Sequence, residues 1–574
     1  MKKTSSKLLS LFLVLVIVLS LTACIQPPVQ TNPPATNPQG SEGNPTTPTE
    51  EDLYYNKEGY PICDETITIT VAGRQGNTLD WNNTYFVKYV EEKLGIKLVC
   101  EPFPNDALSS QYAGMLATET MPDMMVQCNV DKSQVNIDGA DGYWLDLSQY
   151  LDLMPNFVKM MEENPSWANY TKDAEGAIYS VNRIAPGQVT ASRGMITYNK
   201  EVVQAAYPGE IKTIDDFYNA LKAVKAMYPD KTPLAITFDA APGYNADIIL
   251  RTAFGITFND NSYMLVEGAN GEVELGDISE ANRNYLTWLN KLVDEGLLST
   301  EAITMTKDEY NAKVNDGSFV FFSVAGSLGV KDAVDYNDYG IIAALTSQYV
   351  DETTSILNNG LTVSARIFVS AKTEYPEAIA RFIDFLCTDE GRMLAVYGEE
   401  GVTYDKVYDA NGVWSIDHSK YADLNNYESV GKWVQQTVAP YQAFALWWNF
   451  TGVQFDTMDD ATLQKVASAP YKNADGSINN GNQWTALVQM ELNKIENLVV
   501  APAPLVYTAE ESEARKTLAA DLLTYLKAQK VAFITGTVDI SDTAAWDAYV
   551  KQVKAMGWDT LQPIEQAAWD RVNG

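Results

Sequence analysis

Histidine is almost missing from this chain. Its 574 residues hold one, His418. Ser-His-Asp or Cys-His chemistry would have to run through that residue, and a histidine-rich metal site is excluded. His418 lies in "VWSIDHSKY", a polar stretch after a turn signal, where a surface position is expected. Cysteine is scarce too. Cys24, Cys63, Cys100, Cys128 and Cys387 include no CxxC pair, which argues against a zinc knuckle, and their spacing gives no disulfide framework. The last four are expected to be mostly buried thiols. Basic residues fall far short of acids, 41 Lys and Arg against 75 Asp and Glu, for a net charge of −34. A field of that sign opposes nucleic acid, anionic membrane surfaces and polyanionic ligands. The acids are scattered rather than blocked, which reads as a soluble, self-repelling surface. No nucleic-acid partner, metal or cofactor is expected.

What is present begins with an address. Lys2, Lys3 and Lys7 precede an apolar run from Leu8 to Leu21, followed by small residues. This is a secretory signal pattern, and the run is shorter than the roughly 20 residues a spanning helix needs. Leu21-Thr22-Ala23-Cys24 resembles a bacterial lipobox, which implies cleavage before Cys24 and a diacylglyceryl group on its thiol. Residues 25–50 hold seven prolines, five threonines and no aromatic residue. Such a segment cannot bury enough apolar surface to offset its chain entropy, so an extended tether is expected.

The remaining length suggests more than one domain. "ETITITVAG" (65–73) alternates as a strand, "TYFVKYVEEKLG" (84–95) has helical spacing closed by Gly95, and "IKLVC" (96–100) is a second strand. A helix over 106–118 and a strand over 122–128 follow. Strands alternating with helices predict a parallel sheet with right-handed crossovers. A second series starts at "GMITYNK" (194–200). In it, Thr213 and Asp216 form a relative of the capping box before a helix over 213–229, and helices over 281–298 and 374–391 carry apolar stripes. The fold class is therefore α/β, in two units. Open α/β sheets bind ligands beyond the carboxyl ends of their strands, and two such units suit hinge closure around a ligand.

Several segments carry a family resemblance. They are "EGAIYSVNR" (175–183), "GMITYNKEVV" (194–203), "TIDDFYNALKAVK", "YLTWLNKLVDEGLL", "FIDFLCTDEGRMLAVYGEEGVTY" (382–404) and, most specific, "FITGTVDISDTAAWDAYVKQVKAMGWD" (533–559). Together they resemble family 1 extracellular solute-binding proteins, the receptors of carbohydrate ABC importers, in their long lipoprotein branch. The resemblance implies a two-lobed type II periplasmic-binding-protein fold with a hinge, an interlobe cleft and a chain that returns to the first lobe near 357–370. It implies strand one between strands two and three, which would keep Cys100 and Cys128 too far apart to bridge. The expected division is 1–23 signal peptide, 24–52 lipidated cysteine and tether, 53–189 with 357–400 first lobe, and 190–356 with 401–574 second lobe. The implied function is capture of an oligosaccharide and delivery to ABC permease subunits by a monomer lipid-anchored on the outer face of the cytoplasmic membrane.

Sugar hydroxyls call for planar polar side chains, and sugar C–H faces lie against aromatic rings. Position then selects Arg74 and Asn77 in the loop after the first strand, Trp81 just beyond, Asn129 after the third strand, and Tyr244 in "APGYNAD". "YQAFALWWNF" (441–450) adds Trp447 and Trp448, read either as buried helix or as one core anchor and one sugar platform. "DANGVWSID" and "NADGSINNGN" look faintly like calcium loops but lack the twelfth-position Glu, so hairpins are expected. Two other functions fit the sequence: an exported glycoside hydrolase using a carboxylate pair, and a binding protein that senses sugar without transporting it.

Overall fold

The computed structural model describes residues 53–573 apart from 105–106, 185–194, 237–246, 258–264, 269–270, 304, 324–335, 358–364, 409–413, 441–442, 447–457, 469–470, 473–477, 480 and 501–502. Cys24, the tether, Tyr244, Trp447 and Trp448 lie outside the described residues.

The first lobe opens with β1 (Ile67–Arg74), α1 (Tyr85–Leu94), β2 (Ile96–Phe103), α2 (Leu108–Thr118), β3 (Met124–Val126) and α3 (Lys132–Ala140). The second lobe follows with β4 (Ile196–Asn199), α4 (Ile214–Met227), β5 (Thr232–Ala235), α5 (Glu280–Asp294), β6 (Phe319–Ser323) and β7 (Tyr339–Ile342). The chain returns to the first lobe as β8 (Ile367–Val369), α6 (Pro376–Leu386) and α7 (Asp389–Tyr397), and ends in α8 (Ala509–Ile534), α9 (Thr543–Val553) and α10 (Asp559–Asn573).

Local sequence explains many of these boundaries. Thr213 accepts a hydrogen bond from the Asp216 amide while the Asp216 carboxylate takes the Thr213 amide, so α4 opens on the capping box its sequence predicts. Gly95 ends α1 at φ 70°, the left-handed region, and a Cβ there would meet the Cys63 carbonyl oxygen at 1.9 Å. Two constraints converge on one glycine.

The first sheet runs β8-β3-β1-β2, with β1 parallel to β2 and β3 and β8 antiparallel to β3. Strand one does lie between strands two and three. The second sheet runs β5-β6-β4-β7, and there β4 is antiparallel to both neighbours. Both sheets are thus mixed rather than purely parallel. The strands that depart from the parallel rule, β4 and β8, are those by which the chain enters a lobe from its neighbour, so no helical crossover dictates their direction.

Each lobe has its own core. Phe86, Val90, Phe157, Trp167, Ile383 and Phe444 are buried in the first, and Phe217, Leu221, Tyr285, Leu289, Phe321 and Phe533 in the second. A smaller cluster of Ala72, Tyr112, Met125, Trp144 and Phe368 covers the other face of the first sheet. Residues beyond 401 also join the first core. Val438, Ala439, Ala443, Phe444 and Leu446 bury in the first core, because the Phe444 ring stacks 4.9 Å from Phe86 and meets Phe382. Trp484 and the segments up to Leu561 pack with the second core.

At the end of its first pass through the first lobe the chain is held within that lobe: Val181 pairs with Ile367, and Ile184 donates to the Leu446 carbonyl at 2.8 Å. The long helix α8, which packs against α5 of the second lobe, also lies against α3 of the first.

Candidate functional site

The registers of the first sheet place a polar row beyond its carboxyl edge. Ala72, Met125 and Phe368 are mutual partners across β1, β3 and β8, and all three face the smaller core. Side chains on one face of a strand recur every second residue. Two residues further along, Arg74 ends β1, Gln127 follows the end of β3, and Arg366 precedes β8 opposite Gln127. The Gln127 amide donates to the Arg366 carbonyl at 2.7 Å, which ties the row together. Phe103, level with Arg74 on β2, packs at the edge of the smaller core. Arg183 joins from the crossing segment, two residues after Val181, whose carbonyl accepts from the Arg366 amide at 3.1 Å.

The backbone is unusual here. Gln127 and Asn129 have φ of 50° and 53°, a left-handed conformation that costs free energy in residues with a Cβ and often marks functional sites. The Gln127 side-chain oxygen is buried and has no hydrogen-bond partner among the described residues. Leaving such an acceptor unsatisfied costs about 1–3 kcal/mol, and a donor brought to it recovers that cost. Arg366 is 6% exposed, and burial, then the fields of Arg183 and Arg74, hold its guanidinium well below its ordinary range.

The loop after β1 is held from below. Gln75 donates to the Phe103 carbonyl at 2.8 Å, the Thr78 hydroxyl to the Gln435 carbonyl at 2.5 Å, and Leu79 to the Gln436 side-chain oxygen at 3.1 Å. Gln436 in turn donates to the Asn77 carbonyl. Gln435 and Gln436 lie in a π-helical turn, Val434–Val438, a form that concentrates at functional sites.

Among the residues chosen from sequence, Arg74 is half-buried in the row, and Asn77 and Asn129 are exposed on loops at the same edge. Trp81 lies beneath the loop. Its ring is 1% exposed, its indole N–H donates to the Gln75 carbonyl at 3.3 Å, and it meets Phe444 at 6.2 Å, so it anchors the core and supports the loop from beneath. His418 is a correction. It is buried among Tyr397, Tyr404 and Trp433, with Nδ1 2.8 Å from the Thr403 carbonyl, and burial pushes its pKa below the usual histidine value. Strands pair antiparallel around both faint calcium segments, Asp405–Tyr408 with Trp414–Asp417 and Tyr471–Lys472 with Ile478–Asn479, while residues 409–413 and 473–477 lie outside the described residues. Cys63, Cys100, Cys128 and Cys387 are free and buried. Gln127, Arg183 and Arg366 were missed. The available signal was a lone arginine in the otherwise apolar strand "SARIFVS" and another closing "EGAIYSVNR".

Comparison with known proteins decides the family. Residues 84–403 match the model of the bacterial extracellular solute-binding proteins. The chain belongs to that family. Membership agrees with the sequence motifs and places this solute-binding protein outside the cytoplasm. A curated relative, the fructooligosaccharide ABC transporter substrate-binding protein FusA of Streptococcus pneumoniae, is 23% identical over 286 residues. That match spans 47% of this chain and about half, 52%, of the relative's own length. The solved structure of S. pneumoniae FusA with kestose superposes with a TM-score of 0.65 at 18% identity, covering 88% of this chain and 99% of that one. A human-milk-oligosaccharide-binding, ABC-transporter-associated solute-binding protein from Bifidobacterium longum infantis gives 0.67 at 18%, again over 88% and 99%. At these identities the likeness is one of fold, the two-lobed binding-protein architecture.

Proposed function

We propose that this solute-binding protein captures an oligosaccharide between its two lobes, closes over it and presents it to the permease of an ABC importer. Diacylglycerol on Cys24 would hold it at the outer face of the membrane, with residues 25–50 as the tether; Arg74, Asn77 and Asn129 contact the ligand from the first lobe, and Tyr244, Trp447 and Trp448 are candidates for further contacts. The body acts as a monomer and performs no catalysis. Ligand binding shifts the open–closed equilibrium by its differential affinity for the closed form.

The observation that carries this reading is the polar row beyond the first sheet, with the buried Gln127 acceptor that has no partner among the described residues. It lies where open α/β sheets bind ligands, and a hydroxyl-rich ligand supplies the donor that Gln127 lacks. The binding of sugars by FusA and the Bifidobacterium protein, which share this fold, supports the ligand class.

A thermal-shift screen of oligosaccharides against the body from residue 53 tests the reading. Ligand at 100 times its dissociation constant stabilises by about 2.7 kcal/mol. At least one oligosaccharide should raise the melting temperature without generating new reducing ends. A panel that leaves it unmoved, or the release of reducing ends, overturns the reading.

A further inference from the structure

Leu79 is 70% exposed, more than any other large apolar side chain among the described residues. A single exposed leucine is common on protein surfaces. The framework around this one is not. Asn77 and Leu79 stand out in water, while Thr78 between them is 0% exposed and its hydroxyl donates to the Gln435 carbonyl at 2.5 Å. The Gln436 side chain holds the peptide groups on both sides of Thr78. Its oxygen accepts from the Leu79 amide at 3.1 Å, and its nitrogen donates to the Asn77 carbonyl. Each end of the loop is fixed to β2: the Gln75 amide donates to the Phe103 carbonyl at 2.8 Å, and Asn82 exchanges two hydrogen bonds with the Cys100 backbone at 2.8 and 2.9 Å.

We propose that Asn77 and Leu79 form one preformed sugar-binding element. Leu79 lies against the C–H face of a sugar ring, the Asn77 side chain bonds a hydroxyl beside it, and Gln436 is the positioning residue that fixes both. This rests on the capture function proposed above and supplies the apolar contact of that site.

Position, chemistry and order agree. The loop follows the carboxyl end of β1, where open α/β sheets bind ligands. A sugar ring presents hydroxyls at its rim and an apolar C–H face, so a site for it needs a planar polar group next to an apolar one. Trp81 offers no such face, because its ring is in the core, whereas Leu79 offers one to solvent. A contact loop that is ordered beforehand avoids the entropy of ordering it on binding. Gln436 commits an acceptor and a donor to that order. A loop whose only task was to connect β1 to α1 would have no need of an apolar side chain held in water.

The test is calorimetric titration of the body from residue 53 with maltotriose, xylotriose, mannotriose, raffinose and any further sugar that raises the melting temperature in the screen above. For each sugar that binds, Leu79→Ala should weaken binding about tenfold, the scale of a lost leucine contact, with the melting temperature close to wild type. Leu79→Trp presents a larger apolar face and should hold the wild-type affinity or exceed it. Gln436→Ala removes both clasping bonds, so the Leu79 amide should exchange faster with deuterium and binding should weaken about threefold or more. Gln436→Glu keeps the acceptor for that amide and should recover part of both. In the Leu79→Ala, Gln436→Ala double variant the combined loss should fall short of the product of the single losses, because Gln436 acts through the loop that carries Leu79. Wild-type affinity in Leu79→Ala overturns the apolar contact and leaves sugar capture standing. Losses that multiply in the double variant overturn the role of Gln436. If no sugar binds the wild type, capture and the contact fall together.

Discussion

Lys132 offers a sharp check on the first lobe, because it begins the helix that follows the Gln127–Asn129 loop. It is 3% exposed. Its ammonium lies 3.0 Å from the Lys172 carbonyl, 3.4 Å from the Asn136 side-chain oxygen and 5.6 Å from the centre of the Tyr170 ring. Burial pushes its pKa down from 10.5 to about 8, partly opposed by Asp173 and Asp131. Between those two values the unfolded chain holds a proton that the folded chain has released, so the stability contribution of this group rises with pH. At pH 7 both states are protonated, and keeping the buried charge costs ~3 kcal/mol. By pH 10 the folded lysine is neutral, and ~2 kcal/mol of that cost is recovered. Lys132→Met removes the titration. It also removes the contacts to Lys172 and Asn136, a loss that offsets the variant's stability at pH 7. Urea unfolding of both proteins at pH 7 and pH 10 should therefore show wild type gaining ~2 kcal/mol on the variant as pH rises. Stabilities that change in parallel would refute the buried-lysine account.

Other consequences follow from the same packing. Trp81→Ala should destabilise by about 3–5 kcal/mol in denaturant unfolding, as expected when a fully buried aromatic is truncated; a stable variant that merely loses sugar affinity would return Trp81 to the ligand. Asp247 is 0% exposed and accepts from Arg251, Tyr285 and the Lys530 ammonium, tying α8 to the second lobe. Asp247→Ala leaves the buried Arg251 and the partly buried Lys530 with less counter-charge and should cost about 3–5 kcal/mol by the same assay, a loss that would be small if the cluster were solvated. Burial pushes Cys63 up to about 11 and Cys100 and Cys128 up to about 12. A thiol reagent at pH 8 should thus find the body's cysteines unreactive when folded and all four reactive when unfolded, whereas rapid labelling of the native body would contradict their burial.

What the sequence made legible was local. The capping box at Thr213, the stop at Gly95 and the alternation of β1 depend on neighbouring residues, and each is where periodicity and cap chemistry put it. The strand order came through the family resemblance, since nothing local says which strands pair. The missed or misplaced residues share a different cause. Trp81 is buried because Phe444, far along the chain, closes over it. His418 is buried because Tyr397, Tyr404 and Trp433 surround a stretch whose own composition is polar. Arg366 reads as an interruption in an apolar strand until the register sets it beside Gln127. Part of the proposed site was therefore visible, because the loop after β1 and the residues after β3 can be found by counting to the ends of strands. The residues beside them, before β8 and on the crossing segment, appear only once the sheet is assembled.

Hydrogen exchange of the body with and without a bound oligosaccharide addresses the central claim most directly. Amides from Gln75 to Leu79 and from Gln127 to Val130 should exchange more slowly with ligand, together with segments of the second lobe. Binding that leaves both first-lobe segments unprotected, or that protects one lobe alone, would contradict capture between two closing lobes.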